Sequence, residues 1–286
     1  MLHIHHRTYG CASNMKTNPM DTSMAKITRI LFRDLGRIYR IDFSPKICII
    51  TVNNKNNTGQ RLKLHNKELI LFDLDGTLID SVPDLTLAVN EMLSALGRKT
   101  FPEDTVRYWV GNGAQMLVKR ALLGTRETDE EVDEVLFEKA MALFLDFYAK
   151  HLAESTVTYP HVEETLRSLK KNGYRLAVIT NKPFAFVGPI LQNLGLDDLF
   201  ELILGGDSLP QKKPDPAPLL HTCQTLGVSV EQSLMVGDSK NDILAANTAG
   251  MQSIGVTYGY NYGEDIAVYG PDAIVDDFAD ILNFLM

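Results

Sequence analysis

From about residue 68 onward, short continuous apolar runs alternate with amphipathic stretches, and no other feature of the chain restricts its fold as strongly. Leu69–Phe72 (LILF) is an apolar run of strand length that ends in a carboxylate, Asp73. A run with no polar alternation is buried on both faces, as strands of parallel sheets are. After Tyr159-Pro160 the same grammar repeats. The pattern predicts helices over 162–169, 184–194, 217–226 and 242–249, with Gly173, Gly195, Gly227 and Gly250 standing where each would stop. Strands are predicted over 175–180, 202–204, 233–236 and 253–256, with a last short strand over 273–275 before a terminal helix. Such alternation predicts a doubly wound, Rossmann-like parallel sheet in an α/β fold.

Between the first strand and Tyr159 the signal is helical. Asp80 or Ser81 is placed to cap the next helix, with Pro83 in its first turn. Leu85, Val89, Met92, Leu93 and Leu96 share one helical face, as do Met116, Leu117, Ala121 and Leu122. A third set runs through Val132, Val135, Leu136, Leu143 and Phe147. Residues 83–155 therefore read as an all-helical insertion, and residues 67–82 with 156–286 as the core that carries it.

Residues 1–66 belong to neither pattern. The first 64 hold eleven Lys and Arg against three Asp, in a chain whose net charge is −8. They read as a disordered leader or as upstream sequence foreign to the fold; a basic targeting arm and a small element built on the apolar run 47–52 are the competing readings. The acidic remainder argues against a nucleic-acid partner. No apolar run approaches the ~20 residues a membrane helix needs. Cys11, Cys48 and Cys223 are widely spaced, match neither a disulfide framework nor a zinc site, and suit a reducing compartment such as the cytoplasm. Monomer and dimer stay equally open.

In an open parallel sheet, ligands bind beyond the carboxyl ends of the strands. The first strand is followed by Asp73, Asp75, Gly76 and Thr77, the second by Thr180, Asn181 and Lys182. Lys212-Lys213-Pro214-Asp215 comes after the third, and Gly237, Asp238, Ser239, Asn241 and Asp242 after the fourth. Carboxylates gathered on one rim suit Mg²⁺. A lysine and a hydroxyl add contacts to phosphate. One carboxylate can attack phosphorus, a second can move the proton of the leaving oxygen, and Gly76 leaves room for backbone approach.

With its runs DLDGT (73–77), VITN (178–181), KKPDP (212–216) and GDSKND (237–242), the chain resembles the haloacid dehalogenase superfamily over about residues 67–286, and within it the phosphoglycolate phosphatases. That resemblance implies Asp73 as nucleophile and Asp75 as general acid and base. It implies Mg²⁺ held by Asp73, the Asp75 carbonyl and Asp238, with Asp242 supporting the metal. Thr180, Asn181, Lys213 and Gly76 would meet the phosphate. The helical insertion corresponds to a cap over the substrate. Trp109-Val110-Gly111-Asn112-Gly113 and the following Leu117 to Leu122 resemble the phosphoglycolate phosphatase cap. There Gly111, Asn112 and Gly113, with Lys119 or Arg120, are the candidates for reading the far, carboxylate end of a small phosphorylated metabolite.

Plainer readings compete at several positions. A calcium loop at Asp73 fails because Gly76 is its fourth residue, not its sixth. Gly111-Asn112-Gly113 is equally a turn between helices. His3, His5 and His6 read as a solvated tail, Lys212 as a solvated neighbour of Lys213, and Trp109, Phe184, Phe186 and the aromatics of 144–148 as packing. The expected activity is Mg²⁺-dependent hydrolysis of 2-phosphoglycolate through an aspartyl phosphate. A phosphatase for another ester, a pyrophosphatase, a sugar-phosphate mutase and a silent phospholigand-binding module are the alternatives. Dehalogenase chemistry is disfavoured by the second aspartate, Asp75.

Overall fold

The computed structural model describes residues 29–34, 37–43, 48–53 and 64–285. Within the first 60 residues, strands Arg29–Asp34, Arg37–Phe43 and Cys48–Asn53 pair antiparallel in that order. They form a unit separate from residues 61–286, and the expected run 47–52 falls on the third of them. The rest of the expected leader, with His3, His5, His6 and Cys11, lies outside the described residues. The second unit begins slightly earlier than the expected residue 67. Leu64 is buried, and its N–H donates to the Phe284 carbonyl at 2.8 Å.

The second unit is built on six strands: β1 (Leu69–Phe72), β2 (Arg175–Ile179), β3 (Leu202–Leu204), β4 (Ser233–Gly237), β5 (Gln252–Val256) and β6 (Ala273–Val275). Their order across the sheet is 3-2-1-4-5-6, and every neighbouring pair is parallel. Successive side chains of β1 point to opposite faces. Ile70 and Phe72 join the core layer that also receives the inserted helices, while Leu69 and Leu71 join the layer under Met235, Leu219 and Cys223. All four β1 side chains are fully buried. Truncating Leu71 to Ala would cost about 2–5 kcal/mol. That burial explains why β1 carries no polar alternation.

Helices cover the sheet, and glycine ends several of them where the sequence places it. Helix α5 (Ala217–Leu226) stops at Gly227 and α6 (Lys240–Ala249) at Gly250, both left-handed. The connection from β1 runs out through Ile79–Asp80 and returns through Val157–Thr158, which pair antiparallel as a two-residue stem. Four helices stand on that stem: α1 (Val82–Ala95), α2 (Glu103–Arg107), α3 (Ala114–Leu123) and α4 (Glu134–Lys150).

Two local expectations need correction. Helix α4 buries Ala140, Phe144 and Tyr148 rather than the face through Val135 and Leu143, and Val135 is 74% exposed. Its sequence is apolar on several sides, so periodicity alone could not select the inner one. Ser81 stands at the N-cap of α1 but makes no cap bond. Asp80 accepts from the Val82 N–H at 3.2 Å, which frees the Ser81 hydroxyl to donate to Asp75 at 2.5 Å. Among the described residues, no helix is long and apolar enough to cross a membrane.

Candidate active site

The strand order reverses between β1 and β4, and an open parallel sheet parts into a crevice at such a point. Asp73 leaves β1 and Asp238 leaves β4 on either side of it. The two loops are tied by the Asp73 N–H donating to the Val236 carbonyl at 3.0 Å. Gly76 holds φ at +92°, and a Cβ there would lie 2.4 Å from Asp238 Oδ2. Only a glycine lets the DLDGT loop turn this close to the second aspartate. Thr77 completes the join, its hydroxyl donating to Asp238 Oδ1 at 3.0 Å.

Asp73, Asp238 and Asp242, all buried, each bring a carboxylate oxygen within 4.8 Å of the others'. Lys213, 2% exposed, reaches them from the loop after β3. Its ammonium donates to Asp242 Oδ1 at 2.6 Å and to the Ile179 carbonyl at 2.5 Å, and lies 2.9 Å from Asp73 Oδ1. The last contact holds Asp73 Oδ1, which is buried and has no other donor on it. Burial and the neighbouring Asp242 push the Asp73 carboxyl well above the usual range despite Lys213. Burial and the same neighbour raise Asp238 to about 7. Burial works against the Lys213 charge, but Asp242 and Asp73 outweigh it and raise its pKa.

Three carboxylates around one ammonium leave two negative charges without compensation. The donor set is all oxygen, as a hard divalent cation requires. The oxygens also divide by role. Both Asp242 oxygens are engaged, Oδ1 by Lys213 and Oδ2 by the Ser239 N–H and hydroxyl at 3.0 and 2.8 Å. Asp242 thus braces the cluster, whereas Asp73 Oδ1 meets Lys213 alone. Asp238 also accepts at both oxygens, from the Thr77 hydroxyl and from the Tyr260 N–H at 2.8 Å, but neither partner is charged, so Asp238 and Asp73 are the carboxylates suited to a divalent cation.

Asp75 stands apart from that cluster. Its Oδ1 receives the Ser81 hydroxyl at 2.5 Å and the Lys182 ammonium at 2.9 Å. Lys182 is buried and ion-paired with Asp75, a partnership that spacing alone does not reveal although Lys182 stands directly after Asn181. Thr180 is buried at the end of β2, and its hydroxyl oxygen accepts from the Lys182 N–H at 3.1 Å, leaving its own proton to donate. Asn181 donates through Nδ2 to the Lys213 carbonyl at 3.0 Å and to the Gly111 carbonyl at 3.2 Å, while its Oδ1 is buried without a partner.

The expected cap residues divide. Gly111 and Gly113 line the cleft above Asp73, Asp75 and Thr180. Arg120 does not: its guanidinium, 8% exposed, donates to the carbonyls of Trp109 at 2.6 Å and Arg126 at 3.2 Å and to Asn112 Oδ1 at 3.0 Å. Asn112 also accepts from the Tyr262 hydroxyl at 2.7 Å, so the 111–113 turn is bolted to the core. Lys119 is spent on the Thr128 carbonyl at 2.9 Å. Lys212, expected as a solvated neighbour, donates to the Asn112 carbonyl at 3.0 Å and braces the same turn. Phe186 and the aromatics Phe144 and Tyr148 do pack, but along the cleft wall, whereas Phe184 is 52% exposed. Arg120→Ala is expected to destabilise the protein by about 2–4 kcal/mol, since it strips charged donors from buried carbonyls. Urea denaturation of the variant measures that loss.

The haloacid dehalogenase-like hydrolase family model matches residues 70–256. Over 221 residues the chain is 55% identical to a phosphoglycolate phosphatase of Colwellia psychrerythraea, covering 77% of this chain and 98% of that protein. A phosphoglycolate phosphatase of Psychrobacter arcticus is 51% identical over 222 residues, 77% and 96% of the two chains. The crystal structure of a predicted phosphoglycolate phosphatase from Haemophilus somnus superposes with a TM-score of 0.72 at 46% identity, over 76% of this chain and 97% of that one. Strand order, strand-end carboxylates and these likenesses agree, and the chain belongs to the haloacid dehalogenase-like hydrolases.

Proposed function

We propose that this chain is a Mg²⁺-dependent phosphatase that hydrolyses 2-phosphoglycolate to glycolate and phosphate. The observation that carries the reading is one buried rim in which Asp73, Asp238, Asp242 and Lys213 converge while Asp75 faces the same cleft from a separate hydrogen-bond network. The relatives' shared name supplies the substrate.

Asp73, Asp238 and the Asp75 carbonyl are the groups that would hold Mg²⁺. The cation, when bound, neutralises charge on the carboxylates and on the phosphoryl oxygens. The protein's own groups do the rest. The Asp73 carboxylate attacks phosphorus, a P–O bond to Asp73 forms, and the bond to the glycolate oxygen breaks. Asp75 delivers a proton to that departing oxygen, then takes one from the water that attacks the aspartyl phosphate. Lys213 keeps Asp73 aimed and balances part of its charge, and the Thr180 hydroxyl donates to a phosphoryl oxygen. Asp242 serves by holding Lys213. Positioning and charge compensation carry most of the rate, because the transferred group needs little covalent help.

Residues 83–155 act as a cap on the stem at residues 79–80 and 157–158 and shut the cleft over the substrate. The enzyme works in the cytoplasm, where its widely spaced cysteines stay reduced. Phosphate release from 2-phosphoglycolate, compared with and without Mg²⁺, tests the reading. Release that is indifferent to a chelator would refute the metal's part, and no release at all would refute the substrate. Because 77% of this chain spans 98% of the Colwellia relative, an enzyme lacking residues 1–60 is expected to keep kcat/KM within about twofold, by the near-independence of separate domains. A larger fall in steady-state assays would assign the leader a catalytic part.

A further inference from the structure

On the cap side the cleft is lined by apolar residues such as Leu85, Val110, Leu117 and Phe144, and among the described residues there only Tyr148 offers a polar side chain. Tyr148 is 1% exposed, and its hydroxyl meets the Lys182 ammonium, which can only donate, so the phenol's own proton has no acceptor. A buried donor left without an acceptor costs stability, so its persistence in a ligand cleft points to a ligand oxygen. Its ring is fixed by Phe186, edge-on at 5.0 Å, and by Phe144, stacked at 5.8 Å. Burial pushes the phenol up to about 12, so it stays a donor at neutral pH.

From the core comes Lys182, the one cation among the described residues that line the cleft, with its ammonium 4.8 Å from the centre of the Tyr148 ring. It contacts both Asp75 oxygens, at 2.9 and 3.2 Å. With both Asp75 oxygens and the Tyr148 hydroxyl around it, Lys182 offers an incoming anion its charge rather than a free N–H. Arg120 and Lys119, cations of the inserted helices, are occupied by carbonyls and by Asn112.

Resting on the substrate reading above, the geometry points to Tyr148 and Lys182 as the subsite for the carboxylate of phosphoglycolate, the group that distinguishes this ester from uncharged ones. The connectivity of the substrate matches. Asp75 meets the ester oxygen, the carboxylate lies one methylene beyond it, and Lys182 is the group bonded to Asp75. The subsite is assembled from a core loop and a cap helix, so a substrate carboxylate bridges the two halves of the cleft. Phosphoglycolate thereby helps to hold its own lid.

The test compares kcat/KM for 2-phosphoglycolate with that for ethyl phosphate, which has the same ester and no carboxylate. Tyr148→Phe keeps the ring and its stacking, and is expected to lower the ratio about tenfold, the usual effect of losing a hydrogen bond to a charged group. Lys182→Gln, which leaves an amide to hold Asp75, is expected to lower the ratio by about 10–100-fold. Binding of both esters to the Asp73→Asn protein carrying each change, followed by calorimetry, should show the same preference lost. If Lys182→Gln slows both esters equally, Lys182 only positions Asp75 and the subsite is overturned. If Tyr148→Phe leaves the ratio unchanged, the hydroxyl's part is overturned. A wild-type enzyme that hydrolyses ethyl phosphate but not 2-phosphoglycolate overturns the substrate reading and the subsite together, a result distinct from either variant's failure.

Discussion

Asp73→Asn is expected to reduce phosphate release from 2-phosphoglycolate by at least ~10⁴-fold while the protein stays folded, a loss typical of removing a covalent nucleophile. The carboxamide has nearly the same shape, so the buried position stays filled. It has no anionic oxygen to attack phosphorus, and no neighbouring group can replace it. Asp238 and Asp242 are held by Thr77, Ser239 and Lys213. The stability expectation is as specific as the kinetic one. The raised pKa of Asp73 means that the fold disfavours its charged form, through burial and the Asp242 charge. Removing that charge relieves repulsion, so the metal-free variant should melt no lower than the parent in a calorimetric scan. Turnover within tenfold of the parent would remove Asp73 from the mechanism; a marked drop in melting temperature would contradict the electrostatic account of the cluster.

The candidate rim was legible in the sequence because each of its parts sits in a local run. A buried strand must end, and in a parallel sheet the residues directly after it reach the ligand edge. Asp73, Thr180 and Asp238 could therefore be placed from strand ends alone, whereas Lys213 was told from Lys212 only by the motif that the chain resembles. The reversal of strand order between β1 and β4, which brings Asp73 beside Asp238, is a property of the whole sheet and follows from no single segment.

The cap was legible as helices and not as a recognition surface. Arg120 and Lys119 stand in the right stretch with the right charge, yet side-chain direction decides what a cation meets. Arg120 turns back to the Trp109 carbonyl, 11 residues away in sequence. Tyr148 looked like packing because its neighbours on α4 are apolar on most sides. Its partner in the cleft, Lys182, comes from the far end of a core strand. Pairings of that kind carry no local signature. Ser81 teaches the same lesson on a small scale: it occupies a helix N-cap by position, but its hydroxyl serves Asp75.

Lys213→Met is expected to be the most destabilising single change at the site, about 3 kcal/mol in the metal-free protein, within the range for breaking a buried ion pair from one side. Methionine fills the volume of the lysine stem, so the cost is electrostatic rather than a cavity. Without the ammonium, Asp73, Asp238 and Asp242 face one another with no positive group among them, and the Ile179 carbonyl loses its donor. The carboxyls of Asp73 and Asp238 already sit above the ordinary range, so either can relieve part of the repulsion by taking up a proton. That relief keeps the expected cost near the lower end of the range. A divalent cation should act in the opposite direction to the mutation. Mg²⁺ added to the variant should raise its melting temperature by more than it raises the parent's, because it then supplies the only positive charge in the cluster. Activity should fall by about 10²–10³-fold even with Mg²⁺ present, since the phosphoryl oxygens lose a buried, prepositioned donor. Chemical denaturation with and without Mg²⁺ measures the two stabilities. Equal Mg²⁺ effects on variant and parent would show that Lys213 and the cation do not share the charge of one carboxylate cluster.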